Sequence, residues 1–235
     1  MVASEGISTV KMLSRVAATF LMLTACLLQP ALSLAVTLGQ IDDFQDGTTQ
    51  NWGVGNIFDN PFPPVIVPNG GPAGAGDHYL LLTADGGAGV PGPDPASRLT
   101  VINQTQWAGN YLAAGVNVIS MQVRNLGATT LSLRLYVADG TTAQPLNAAI
   151  STNPVFLPVS SSWTLVRFSL APGNLTPLRL GSVQNALANA KELRIFHNPA
   201  IGFPGPTVVA SLDVDNIKAL RCSGQPYLPL LLLDD

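Results

Sequence analysis

The chain has 235 residues, enough for one large domain with a sizeable core, and 47% of them are hydrophobic, which excludes the composition of a disordered chain. Charged residues make up only 11%, less than half of the roughly 25% usual in soluble domains, and the formal net charge is −3. The few basic residues are scattered, so there is no stripe to follow a nucleic-acid backbone, and that partner is excluded.

Residues 1–35 read as a signal peptide. Lys11 and Arg15 form its basic start, Val16 to Leu28 an apolar run too short to span a bilayer, and Ser33-Leu34-Ala35 a small-residue cleavage site before Val36. A second reading stays open, because Leu23-Thr24-Ala25-Cys26 is similar to a bacterial lipobox, which makes Cys26 a possible lipid anchor. Either way Cys222 is left without an internal disulfide partner. Losing Glu5, Lys11 and Arg15 with the leader leaves nine basic and thirteen acidic residues, a net charge of about −4.

From Val36 onward the hydrophobic period is two. Strands are expected at Tyr79 to Ala84 and Arg98 to Ile102, then at Ile119 to Arg124, where Ile119, Met121 and Val123 oppose Ser120, Gln122 and Arg124. The connection Asn125-Leu126-Gly127-Ala128-Thr129 reads as a hairpin turn with Gly127 at positive φ. It leads to Leu131 to Val137, whose leucines and valine oppose Ser132, Arg134 and Tyr136. Trp163 to Leu170, Leu193 to His197 and Val208 to Ile217 complete the expected strands, and Ser182 is placed to cap one short helix over Val183 to Ala190. Stretches 60–76 and 84–95, rich in Pro and Gly, are expected to be long surface loops. The pattern predicts an all-β protein, a two-sheet antiparallel sandwich with one short helix, spanning residues 36–220 and followed by an apolar C-terminal tail, 221–235, that ends Leu230-Leu231-Leu232-Leu233-Asp234-Asp235.

Two acidic motifs bracket the domain: Asp43-Phe44-Gln45-Asp46-Gly47 with Trp52 after it, and Leu212-Asp213-Val214-Asp215-Asn216-Ile217. With the strands between them they resemble the jelly-roll carbohydrate-binding modules of the galactose-binding-like class, over Val36 to Leu220. The resemblance implies a secreted bacterial protein with a jelly-roll fold and a structural calcium held by an acidic residue after the first strand and another in the last. Gln45 stands where many such modules have Glu. Asp43, Asp46, Asp213 and Asp215, with carbonyls near Gly47, are the candidate oxygens for a hard cation that takes six to eight of them. The same aspartates equally suit turns and a blunted sheet edge.

Sugar binding calls for flat aromatics and planar polar groups on an open surface. Gln122, Arg124, Arg134 and Tyr136 on the polar faces of the two central strands are candidates, as are Trp107 and Tyr111 in a connecting segment; His197 and Asn198 stand behind them, with His197 read as structural. Catalytic signatures are missing. The chain has no G-x-S-x-G and no H-E-x-x-H, and its G-x-G-x-x-G at Gly87 to Gly92 runs into prolines where a phosphate-binding helix would start. Beyond the leader Glu192 is the single glutamate, and no pair of carboxylates is set to flank a glycosidic bond. The reading is a non-catalytic polysaccharide- or surface-glycan-binding module, not an enzyme, with no transmembrane segment in the mature chain, located extracellularly, in the periplasm or elsewhere in the cell envelope. The alternatives are a cell-surface structural or interaction protein with no sugar ligand, and a polysaccharide hydrolase or lyase.

Overall fold

The computed structural model describes residues 35–55, 60–87, 97–141, 145–178 and 180–222. The leader with Cys26, the tail beyond Cys222 and most of the expected loop 84–95 lie outside the described residues. Among these residues twelve strands form two sheets in which every pairing is antiparallel. In sheet A the order is β2 (Val65–Val67), β3 (Tyr79–Asp85), β12 (Val209–Leu220), β5 (Val118–Asn125), β9 (Thr164–Ser169), with β1 (Ile41–Asp42) pairing β12. In sheet B it is β10 (Leu175–Pro177), β7 (Ala148–Ser151), β6 (Leu131–Ala138), β11 (Glu192–His197), β4 (Thr100–Asn103), with β8 (Val155–Leu157) pairing β6. The fold is the two-sheet antiparallel sandwich expected.

The period-two pattern decides which residues fill the space between the sheets. Ile119, Met121 and Val123 of β5 meet Leu131, Leu133, Leu135 and Val137 of β6, all fully buried. Burial of each such side chain stabilises by about 1.5–3 kcal/mol. On β12 the alternation slips. Leu212 and Val214 face the core, a bulge follows between Asp215 and Lys218, and then Ile217 and Ala219 face it. Asn216 takes the bulge at φ +52°, a left-handed conformation that Asn tolerates better than branched residues. The one-residue step keeps both halves of the long strand apolar side inward.

Several expected connections are corrected. The segment 125–129 is not a hairpin, because β5 belongs to sheet A and β6 to sheet B; it is an arch between the layers. Asn125, fully buried, organises that arch by donating from Nδ2 to the carbonyls of Thr129, Leu157 and Pro158, while its Oδ1 accepts from Gly127 N. Gly127 is required for close approach and not for positive φ, since a Cβ there would lie 3.0 Å from Ser211 N. The loop expected over 60–76 contains β2, and the strands β7, β8 and β10 had no forecast. The expected helix forms as α2 (Val183–Ala188), where Ser182 Oγ accepts from Asn185 N at 3.0 Å. A further one-turn helix, α1 (Tyr111–Ala114), is capped by Asn110 Oδ1 on Ala113 N at 2.8 Å.

Candidate functional site

Alternation puts the polar sides of β5 and β6 on opposite outer faces of the sandwich, so the four strand candidates are split into two pairs. Arg134 and Tyr136 lie on sheet B, where they are 2% and 3% exposed. Arg134 donates from Nε to Asn198 O, from Nη1 to Ser151 O and Thr152 O, and from Nη2 to Pro199 O. Burial holds its pKa below the usual guanidinium value. Tyr136 stacks on Phe203 with centroids 4.9 Å apart, in a small cluster with Ile150 and Phe196. As solvent-facing contacts these two are corrected, because the turn after β11 covers them. His197, behind them, accepts Ser132 N at Nδ1, a structural role, and burial lowers its pKa.

Trp107 and Tyr111 are corrected as well. Both are fully buried. Trp107 Nε1 donates to Asp42 Oδ2 at 2.6 Å, beside Trp52 Nε1 at 2.7 Å and Gln106 Nε2 at 3.0 Å, and the Tyr111 hydroxyl donates to Trp107 O. Two indoles and an amide thus satisfy a buried carboxylate whose pKa is raised by desolvation against the pull of those donors. The anchoring acid of the first motif is Asp42, which sequence reasoning passed over in favour of Asp43. The Trp52 that follows was the available signal for it.

The outward face of sheet A keeps the other pair accessible. Arg124 donates from Nε and Nη2 to Asp213 Oδ2 at 2.8 and 2.7 Å. Its guanidinium carbon lies 4.7 Å from the Trp163 ring centroid and 5.4 Å from that of Tyr79, and the two rings meet edge to face at 5.4 Å. Trp163 is fixed by its indole N–H on Gly70 O at 3.1 Å. Asp213 is buried, with its pKa raised by desolvation and drawn back by Arg124, whereas the Arg124 side chain is 20% exposed and Trp163 is half-buried. Gln122, next along β5, accepts from Asn216 Nδ2, and exposed Leu165 stands beside it on β9. Trp163, Arg124 and Gln122 therefore form a strip on the outward face of sheet A, each held by a partner within the protein. Sequence reasoning places Tyr79 and Trp163 only as the first residues of expected strands.

The four aspartates expected to hold calcium do not converge. Asp46 Oδ1 accepts from Thr48 N and Oγ1, a turn that lowers its pKa; Asp213 is paired with Arg124. Asp43 and Asp215 share a neighbourhood with Asp77, whose charges, after desolvation, help push the Asp215 pKa up to about 7. Nearby, Gln45 Nε2 donates to Asp77 Oδ1 at 2.8 Å, Asp43 O at 3.1 Å and His78 O at 3.3 Å. A carboxamide N–H2 thus takes up three oxygens of this region. Among the described residues no three His, Cys, Asp or Glu side chains are grouped to hold a metal ion.

No protein-family model matches the sequence, and no curated protein does. Solved structures match the fold. A family 11 carbohydrate-binding module from Clostridium thermocellum, solved with a β-1,3-1,4-mixed-linked tetrasaccharide, is 13% identical with a TM-score of 0.50, over 79% of this chain and 99% of that one. An exo-β-agarase is 13% identical with a TM-score of 0.53, over 80% of this chain and 26% of that one. The chain has the jelly-roll fold of carbohydrate-binding modules.

Proposed function

We propose that this protein is a non-catalytic glycan-binding module acting in the cell envelope or outside the cell. The observation that carries the reading is the Trp163–Arg124–Gln122 strip. An aromatic ring, a guanidinium and a carboxamide are held in place by Gly70, Asp213 and Asn216 before any ligand arrives, so little side-chain entropy is left to lose on binding. A sugar ring stacks on the indole while the planar groups meet its hydroxyls. The basic and apolar leader supports export, and the jelly-roll likeness supports glycan as the ligand class.

The hydrolase reading has less support. Asp215, whose pKa near 7 would suit acid–base chemistry, is fully buried, and Glu192 is buried against Arg194 and Gln104. The test is retention on a panel of insoluble polysaccharides, with Trp163→Ala beside the native chain. Loss of one stacking contact should weaken binding roughly ten- to a hundredfold, measured well below the melting temperature, which the variant lowers by losing the Trp163 contacts with Gly70, Tyr79 and Arg124. If the native chain is retained by nothing, the surface-scaffold alternative replaces this reading; release of reducing ends would make it an enzyme.

A further inference from the structure

A second feature lies farther along β9, and its reading rests on the glycan-binding proposal above. A cleft of about 220 Å³ opens between the β9 edge of sheet A and the β7–β8 turn of sheet B. It is lined by Arg167, Asn153, Asn174 and Ser169 over an apolar floor of Pro154 and Phe168. Asn174 Nδ2 donates to Ser169 Oγ at 2.9 Å, which orients that carboxamide and leaves its oxygen as an acceptor.

The arginine decides what the cleft takes. Among the described arginines, Arg98, Arg124, Arg134, Arg194 and Arg221 each have a carboxylate or carbonyl partner. Arg167, exposed, has no hydrogen-bond or ion-pair partner among the described residues, and neither has the Asn153 side chain. The rows across sheet A sharpen the contrast. Arg124 is level with Asp213 and Gln122 with Asp215, but at the level of Arg167 the row runs Ser120 and then Lys218, with no carboxylate. Two cations thus flank this end of a chain that is acidic overall. A free guanidinium beside carboxamides and a hydroxyl, over an apolar floor, suits a sugar that carries one oxyanion.

We propose that the Arg167 cleft is a subsite for an oxyanion-bearing sugar residue, a uronate carboxylate or a sulfate ester, of a glycan whose neutral part lies on the Trp163 strip. Arg167 lies on β9 and Trp163 immediately before it, four residues or roughly 13 Å apart along an extended chain. One chain of a few sugars reaches both.

The test uses the native chain, Arg167→Gln, Asn153→Ala and Trp163→Ala, with calorimetric titration of neutral agarose oligosaccharides, sulfated agarose oligosaccharides and oligogalacturonate. The native chain should bind one of the charged probes ten- to a hundredfold more tightly than the neutral one, and which probe it is separates sulfate from carboxylate. Arg167→Gln should erase that preference and leave neutral binding as it was; Asn153→Ala should reduce it; Trp163→Ala should weaken all ligands. Equal affinity for charged and neutral probes, or a preference that survives Arg167→Gln, overturns the subsite while the glycan reading stands. Failure to bind any of the three overturns the subsite, and the polysaccharide panel then decides the fate of the glycan reading separately. Arg167→Gln should melt with the native chain, since it breaks no hydrogen bond or ion pair among the described residues.

Discussion

On the outward side of sheet B, Arg134 commits its guanidinium to four backbone carbonyls and Tyr136 lies under Phe203; on sheet A, Arg124 is held by one carboxylate and keeps 20% of its side chain in solvent. Both arginines project from central strands with the same alternation. What separates them is the turn that follows β11, which folds back over sheet B and delivers Asn198, Pro199 and Phe203 to it. A covered face uses its cation as internal scaffolding. An open face can use an equally fixed cation for recognition.

The largest effect that would test this contrast is on stability. Arg134→Met leaves two buried and two part-buried carbonyls without their donor and should cost about 3–5 kcal/mol, lowering the melting temperature by roughly 10 °C. Arg124→Met removes one ion pair and should cost about 2 kcal/mol, most of it from leaving Asp213 buried without a partner. Thermal denaturation of both variants checks this. Equal losses would mean the two faces play the same part.

Next in size is an opposition in pH dependence. Asp215 on sheet A titrates near 7 in the folded state against 3.8 unfolded, so the folded chain keeps a proton that the unfolded chain gives up. Stability should fall as pH rises from about 4 to 7, by roughly 2–4 kcal/mol from Asp215, and Asp215→Asn should remove that share of the fall, leaving the part due to Asp42 and Asp213, and melt higher than the native chain at pH 8. His197 on sheet B has the reverse sign. Its folded pKa lies below 6.5, so its contribution is complete above that pH and is lost as pH drops toward the folded value. Melting curves of Asp215→Asn below pH 6.5 should therefore expose a loss of stability on the acid side that Asp215 offsets in the native chain. If Asp215→Asn keeps the native pH profile, the carboxyl is not held as described.

The smallest expected effect is that of calcium. With Gln45 Nε2 on three oxygens and Asp46 and Asp213 engaged elsewhere, millimolar calcium or chelator should leave the melting midpoint unchanged. A rise that grows with calcium concentration would show that the cation displaces the amide.

Much of the fold was legible because period two states which side chains of a strand point inward: Ile119, Met121 and Val123, or Leu131, Leu133, Leu135 and Val137. It does not state which sheet a strand joins. The arch at Asn125 was therefore read as a hairpin, and Gln122 and Arg134 as neighbours. Short strands such as Val155–Leu157 and Leu175–Pro177 carry too few residues for alternation to register. The site was less legible still. Tryptophan serves both cores and sugar platforms, and only the long-range partner decides: Asp42 for Trp107, Gly70 and Arg124 for Trp163. The slip from Leu212 and Val214 to Ile217 and Ala219 was in the sequence throughout and marked the bulge.

The position of β12 governs the order in which the domain can be made. This strand, Val209–Leu220, joins β1, β3 and β5, so without it sheet A falls apart into a β2–β3 pair and a β5–β9 pair, neither stable alone. Sheet B is already complete when synthesis reaches His197. Until β12 emerges, the growing chain holds the inner leucines of β6 against an unfinished sheet A, a long-range closure of the kind that folds slowly and aggregates easily. Shortening the chain before Val209 should leave an insoluble half-sandwich, and folding in the cell waits on β12.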